Sequence, residues 1–194
     1  MPQPPRASTP SRPVHVQVDL GTLAPPPERV FANGCAIVDH GLIQEFSFTQ
    51  SRPRGAPRAA VSLMVPLEAV VGHLWKSSVQ FYQNEKENLR RAEIGVQNVL
   101  DSPPEWQASL VQMSNVFRVA RAGTEMVLEA YWLSPYYVHA ASLGGTPKFR
   151  FEPVVQVQLS SPVLVGVLEY LSQHVEEWRR RLGPLVPPFE STDE

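Results

Sequence analysis

Val61-Ser62-Leu63-Met64-Val65-Pro66-Leu67-Glu68-Ala69-Val70-Val71-Gly72-His73-Leu74 decides the fold, because the chain repeats its pattern about half a chain later. Laid without a gap over residues 155–168, it sets Val61-Ser62-Leu63-Met64-Val65 on Val155-Gln156-Val157-Gln158-Leu159. Val71-Gly72 then falls on Val165-Gly166, Leu74 on Leu168 and Ser78 on Ser172. Each copy opens with the period-two alternation of a half-buried strand and passes into apolar residues at helical spacing. Element order and pattern recur where letters do not, which is the signature of a duplicated unit.

Outward from the first copy, strands are predicted over residues 14–20, 29–39 with an interruption at Asn33-Gly34, 42–49 and 59–65. In the third of these Leu42, Gln44, Phe46 and Phe48 share a face. Pro66 suits a helix start, and Leu67, Val70, Val71, Leu74, Phe81 and Tyr82 form its buried stripe, with Trp75 at the margin. That helix is expected to reach about Asn84, and residues 85–104 read either as its extension or as a connector. Around the second copy, strands are predicted over residues 110–120, 126–133 and 148–159. Ser160, Ser161 and Pro162 then open a helix whose stripe is Leu164, Leu168, Leu171, Val175, Trp178 and Leu182, stopped by Gly183-Pro184. On its outer face Glu176 and Glu177 precede Arg180 and Arg181 by one turn. Upstream the register shifts, because the loop between Tyr136 and Thr146 is longer than its counterpart around Arg54; Val30-Phe31 is matched to Val116-Phe117, and Glu45 to Glu129.

The fold class that follows is α+β: two tandem antiparallel β-meander-plus-helix units forming a pseudo-dimer with one shared core. Residues 14–100 make the first unit with its connector and 105–185 the second, between a disordered Pro-rich tail (1–13) and a disordered acidic tail (186–194). One such unit leaves a sheet face and an edge uncovered, and pairing two covers both.

With 194 residues, 43% of them hydrophobic, the chain is long enough for one sizeable core. A net charge of −2 supplies no overall field for a polyanion, so a nucleic-acid role requires a local patch. The lone Cys35 excludes an intramolecular disulfide and argues against a cysteine-based zinc site. The first residues lack an apolar signal-peptide core and no apolar run is long enough to span a bilayer, so a cytoplasmic protein without membrane contact is expected. Pro2 to Pro5 and Pro10 to Pro13 have PxxP spacing, which any Pro-rich tail supplies.

The residues of the first unit also resemble a known family. Val14-His15-Val16-Gln17-Val18-Asp19-Leu20, Val30-Phe31-Ala32-Asn33-Gly34, Ile37-Val38-Asp39-His40, Phe46-Ser47-Phe48, Val61-Ser62-Leu63-Met64-Val65-Pro66 and the helix to Tyr82 are similar to the small bacterial domain-of-unknown-function family 3467. The resemblance covers residues 14 to about 88. Residues 110 to about 185 follow it in outline, with Phe117-Arg118-Val119-Ala120 in place of the Phe-Ala-Asn-Gly run and Arg181-Leu182-Gly183-Pro184-Leu185 like the family's helix exit. The family holds such units singly and carries no known activity, so the resemblance implies a fold alone.

No catalytic constellation, metal cage or phosphate loop emerges, and no enzyme activity, cofactor or metal is expected. Asp39 and His40 are neighbours on a strand and point to opposite faces, which prevents a dyad between them. His15, His73, His139 and His174 lack the helical-turn or Cys partners of metal sites. Glu45 lies opposite the Phe46 face and reads as solvated, and Cys35 reads as packing. What remains is surface. Trp132, Tyr136 and Tyr137 form an aromatic group, while Arg52, Arg54 and Arg58 crowd one inter-strand loop and Lys148 and Arg150 its counterpart. The function expected is a binding or assembly module for a protein partner, either a second copy or an operon-encoded protein. The alternative is a nucleic-acid-binding accessory protein using the paired basic loops.

Overall fold

The computed structural model describes residues 21, 23–51, 57–101, 104, 111–123, 125–136 and 149–183. The first unit runs β1 (Arg29–Ala32), β2 (Gly34–Asp39), β3 (Ile43–Gln50), β4 (Arg58–Pro66), then one continuous helical run of α1 (Leu67–Ala69), a π-helical segment (Val70–Trp75) and α2 (Lys76–Arg91). The second runs β5 (Val111–Met113), β6 (Val116–Ala122), β7 (Glu125–Leu133), β8 (Phe151–Leu159) and α3 (Ser161–Leu182).

Among the described residues the strands form two four-stranded sheets, ordered β2-β3-β4-β5 and β6-β7-β8-β1. Within each, three strands make the expected antiparallel meander, and the fourth is a parallel strand lent by the other unit. The exchange is reciprocal: Val30 stands opposite Val157 as Gln112 stands opposite Leu63. Both sheets are therefore mixed, because each long strand crosses from one sheet to the other at a kink, at Asn33 in one unit and at Ser114-Asn115 in the other.

These pairings correct the upstream register. Gly34 pairs with Thr49 as Val116 pairs with Tyr131, so Asn33 is equivalent to Asn115, not Val30 to Val116. Both asparagines donate their backbone N–H across the kink, Asn33 to the Thr49 carbonyl (2.9 Å) and Asn115 to the Tyr131 carbonyl (3.1 Å). A register shift follows Phe48 in one sheet and Ala130 in the other, which are equivalent positions. Glu129 therefore matches Ser47, on the rungs Arg118–Glu129–Gln156 and Ala36–Ser47–Ser62, and Glu45 matches Val127.

The two units share one core. Phe46, Phe48, Val61, Leu63 and Val65 face Met126, Leu128, Val155, Val157 and Leu159, with both helices packed on them. Leu74 and Leu168, matched in sequence, both lie in it. So does the whole predicted α3 stripe, with Trp178 1% exposed. Two local expectations change and one open alternative is decided. Leu42 is exposed because it sits in the turn before β3, where its carbonyl accepts the Leu67 N–H (2.9 Å). The charged stretch after Asn84 stays helical to Arg91, with Glu85 and Leu89 buried, and residues 94–99 form the connector. Glu176 pairs with Arg179 rather than Arg180 (2.5 Å).

Among the ion pairs that join the units in the described residues, two at equivalent strand ends have opposite polarity. Asp39, ending β2, accepts from Arg181 of α3 (2.7 Å), and Arg121, at the position equivalent to Asp39, donates to Glu85 of α2 (2.5 Å). Burial raises the Asp39 carboxyl, but hydrogen bonds from Arg181, the Gly41 N–H and Gln44 outweigh it, leaving it below the usual carboxylate range. A depressed folded-state value means that this contribution is present above the unfolded pKa and is lost as pH falls through the folded one. Reversing Asp39 to Arg is expected to cost about 1 kcal/mol, and adding Arg181→Asp to recover most of it. Urea unfolding of the four members of this cycle at neutral pH checks the pair. The coupling should fade as pH falls through the depressed folded-state value of Asp39, below the ordinary carboxylate range. Additive effects at neutral pH would remove the clamp.

Candidate partner-binding surface

Equivalent positions in the two units can be compared directly, and they differ around β5. Val111 and Met113 point away from the core, 57% and 40% exposed. Their equivalents in β1 are Arg29 and Phe31. The kink beyond β5 is fastened by Asn115, whose side chain accepts the Leu133 N–H and donates to the Leu133 carbonyl (both 2.8 Å). Asn115 thereby ties the chain after β5 to the end of β7, which carries Trp132. In the first unit the residue equivalent to Trp132 is Gln50, whose amide donates to the Phe31 carbonyl (2.7 Å) and caps the edge of β1. An indole thus replaces a polar edge cap, and Trp132 faces Glu152 where Gln50 faces Arg58. Tyr136, just beyond β7, is 73% exposed. Aromatic and flexible apolar side chains at an open sheet edge are what a protein partner uses.

Of the residues singled out in sequence, Trp132 is half-buried near the end of β7 and Tyr136 is exposed just beyond it. Arg58 opens β4 and Arg150 precedes β8, both exposed. Tyr137, Arg52, Arg54 and Lys148 lie outside the described residues. Val111 and Met113 were missed. Reading residues 110–120 as one strand puts them on the same face as Phe117 and Val119, whereas the crossing between sheets turns that parity from outward in β5 to inward in β6.

The polar clusters are structural. Glu129, buried on the outer face of its sheet, pairs with Arg118 and accepts from Tyr131 Oη and Gln156 Nε2 (both 2.9 Å). Tyr131 Oη also donates to the Ala24 carbonyl (3.2 Å), and Arg118 to that of Leu23 (3.5 Å). Burial, then Glu129, pushes the Tyr131 hydroxyl up to about 12. Glu45 is half-buried rather than solvated, because Ser47 Oγ (2.9 Å) and His40 Nε2 (3.1 Å) both reach it. Burial raises its carboxyl, and hydrogen bonds from His40, Ser47 and Ser62 bring it below the ordinary value. Cys35 sits on the opposite, core-facing side of the sheet, its thiol pushed up by burial. His40, Glu45 and Cys35 therefore do not line one cleft.

His73, on the π-helical segment, accepts the Phe117 N–H at Nδ1 (3.4 Å), and burial lowers its pKa. Among the described residues no group of three or more His, Cys, Asp or Glu could hold a metal, and no helix is long and apolar enough to cross a membrane. Compared with known proteins, the chain matches no family model, no curated protein and no solved structure.

Proposed function

We propose that this protein is a non-enzymatic binding or assembly module that engages a protein partner through the surface at β5 and the end of β7. One observation carries the reading: two units with equivalent strand pairings diverge at Val111 and Trp132, where the first unit has Arg29 and Gln50, beside Met113, which like its equivalent Phe31 is exposed. The duplicated fold demands no apolar residue at positions 111 and 132, where its other half has Arg29 and Gln50, whereas Met113 and its equivalent Phe31 are both exposed and apolar. A fused pseudo-dimer presents this surface once per chain, which suits one asymmetric partner, and the resemblance to family 3467 extends the proposal to fused copies of a unit held singly elsewhere.

The test compares the full chain with Val111→Lys/Met113→Lys. Both positions are exposed, so stability should stay within about 0.5 kcal/mol. Light scattering across a dilution series and affinity capture from native cells should show a complex formed by the parent and lost in the variant. Equal behaviour of the two chains would overturn the assignment. If instead the protein binds duplex or single-stranded DNA with an affinity that falls steeply with salt, the basic loops are the site.

A further inference from the structure

We propose that His73 is an acid-sensitive latch between the two units: while neutral its Nδ1 holds the Phe117 N–H of β6, and protonation at that nitrogen lets it go. The latch sits where the helical run of the first unit departs from α3. Val71 and Leu74 keep the register of Val165 and Leu168, all four buried. Beyond the π-helical segment the buried residues Ser78, Tyr82, Glu85 and Leu89 repeat the spacing of Leu171, Val175, Trp178 and Leu182, but one residue later. The first helix thus holds one residue more than α3, and its π-helical turn absorbs it. His73 lies on that turn. In the register of the preceding strand its counterpart is Val167, which is buried. An imidazole here is an addition to the duplicated plan, since the other unit packs with an aliphatic side chain in its place.

The bond itself dictates the protonation state. Nδ1 accepts the Phe117 N–H (3.4 Å), so the neutral ring carries its proton on Nε2. A second proton can be added only at Nδ1, where it would meet the amide hydrogen head-on and convert the acceptor into a donor. Phe117 is buried in the shared core just past the Asn115 kink, and this bond ties the start of β6 to the helix of the other unit.

Nothing around His73 is arranged to hold an imidazolium. The elements packed against its π-helical segment are α1, α2, α3 and β6. On β6, Arg118 and Arg121 pair with Glu129 and Glu85; on α1, Glu68 is exposed. On α2, Lys86 donates to Tyr82 and to Glu169 of α3, Glu87 pairs with Arg90 and Arg91, and Lys76 is exposed. On α3, His174 donates from Nδ1 to the Tyr170 carbonyl, and the charges from Glu176 to Arg181 are engaged with one another and with Asp39. Burial alone lowers the His73 pKa, with no charged group contributing. The unfolded chain has the ordinary histidine value of about 6.5. A folded value below it means that the latch's contribution is whole above the unfolded value and is lost as pH falls through the folded one.

NMR on the full chain, titrated from about pH 8 to about pH 5, tests the latch. At the alkaline end the His73 ring should show a bare Nδ1 and a protonated Nε2. On acidification Nδ1 should gain its proton with a midpoint below about 6.5, and the Phe117 amide shift should move with the same midpoint. Protection of that amide from hydrogen exchange, corrected for pH, should fall about tenfold across the titration. His73→Asn offers a carboxamide oxygen at similar reach that cannot titrate, so the Phe117 amide should stay protected and its shift flat. His73→Val copies Val167 and should leave the amide as weakly protected at every pH as in the acidified parent. A proton on Nδ1 at the alkaline end, or a Phe117 amide indifferent to titration of the ring, would overturn the proposal from the parent alone. A Phe117 amide that still follows pH in His73→Asn would overturn it as well, by assigning the response to another group.

Discussion

Gly166→Ala is expected to destabilise the protein by about 3 kcal/mol or more, at the upper end for a single substitution that adds one methyl group. On helical propensity alone the change should gain about 1 kcal/mol, because α3 would lose an interior glycine. Packing reverses the sign. The new Cβ would stand 1.9 Å from the Gln97 carbonyl oxygen and 3.1 Å from its carbon, and backbone atoms cannot rotate out of the way as a side chain can. The connector has to lift. Lifting it breaks the Gln97-to-Pro162 bond and the two bonds between Leu100 and β2, and it unpacks Val96 and Val99 from the core. The loss is thus partly global and partly local to β2. Urea unfolding reads the first, and a selective rise in exchange at the Ile37 amide reads the second. A variant as stable as the parent, with Ile37 still protected, would show that the connector contributes nothing to holding the halves together.

That close approach explains what could and could not be read from the sequence. Where a unit's contacts are with itself, pattern was enough. The β4-to-helix run, the α3 stripe from Leu164 to Leu182 and the meander order all follow from local periodicity, and each is found. Where contacts cross between units, pattern misled. Residues 29–39 look like one broken strand, yet β1 belongs to the opposite sheet and β2 to its own. The alternation runs through the kink without showing that inward and outward have traded places. Matching Val30-Phe31 to Val116-Phe117 followed the shared Val-Phe letters, while the structurally equivalent pair is Asn33 and Asn115, whose shared task is to donate its N–H to the carbonyl across the kink. An asparagine inside a predicted strand in each half, marked by an interruption only in the first, was the available signal. The candidate surface was half legible for the same reason: Trp132 and Tyr136 announce themselves as aromatics, but the outward turn of Val111 and Met113 depends on strand exchange, which no single unit encodes.

The reversed clamps show how duplication and divergence divide the work. In a pairing of two first units, Asp39 would meet the acidic Glu85 and Glu87 of α2; in a pairing of two second units, Arg121 would meet Arg179 and Arg181. Like charges brought together at both clamps oppose either homotypic arrangement. The surviving combination pairs first with second, which the single chain supplies to itself.

Glu129→Ala should be the other severe change, and its rescue tests the internal equivalence on which the partner surface rests. Removing this carboxylate takes from the Arg118 guanidinium, whose side chain is only 24% exposed, the anion it faces across the rung, and deprives Tyr131 and Gln156 of an acceptor. Breaking a buried pair from one side costs about 3–5 kcal/mol. Arg118 can turn partly toward water, so about 3 kcal/mol is expected. Replacing a whole rung differs from breaking it. The equivalent rung of the other sheet holds Ala36, Ser47 and Ser62, with the two hydroxyls bonded to each other at 2.6 Å and no charge at all. Arg118→Ala/Glu129→Ser/Gln156→Ser copies that solution into the second unit. It leaves no orphaned charge, and water can enter from the outer face of the sheet. The triple variant should therefore unfold at a higher urea concentration than Glu129→Ala despite carrying three substitutions. If it unfolds earlier, the two rungs are not interchangeable, and comparing their surroundings position by position loses its justification.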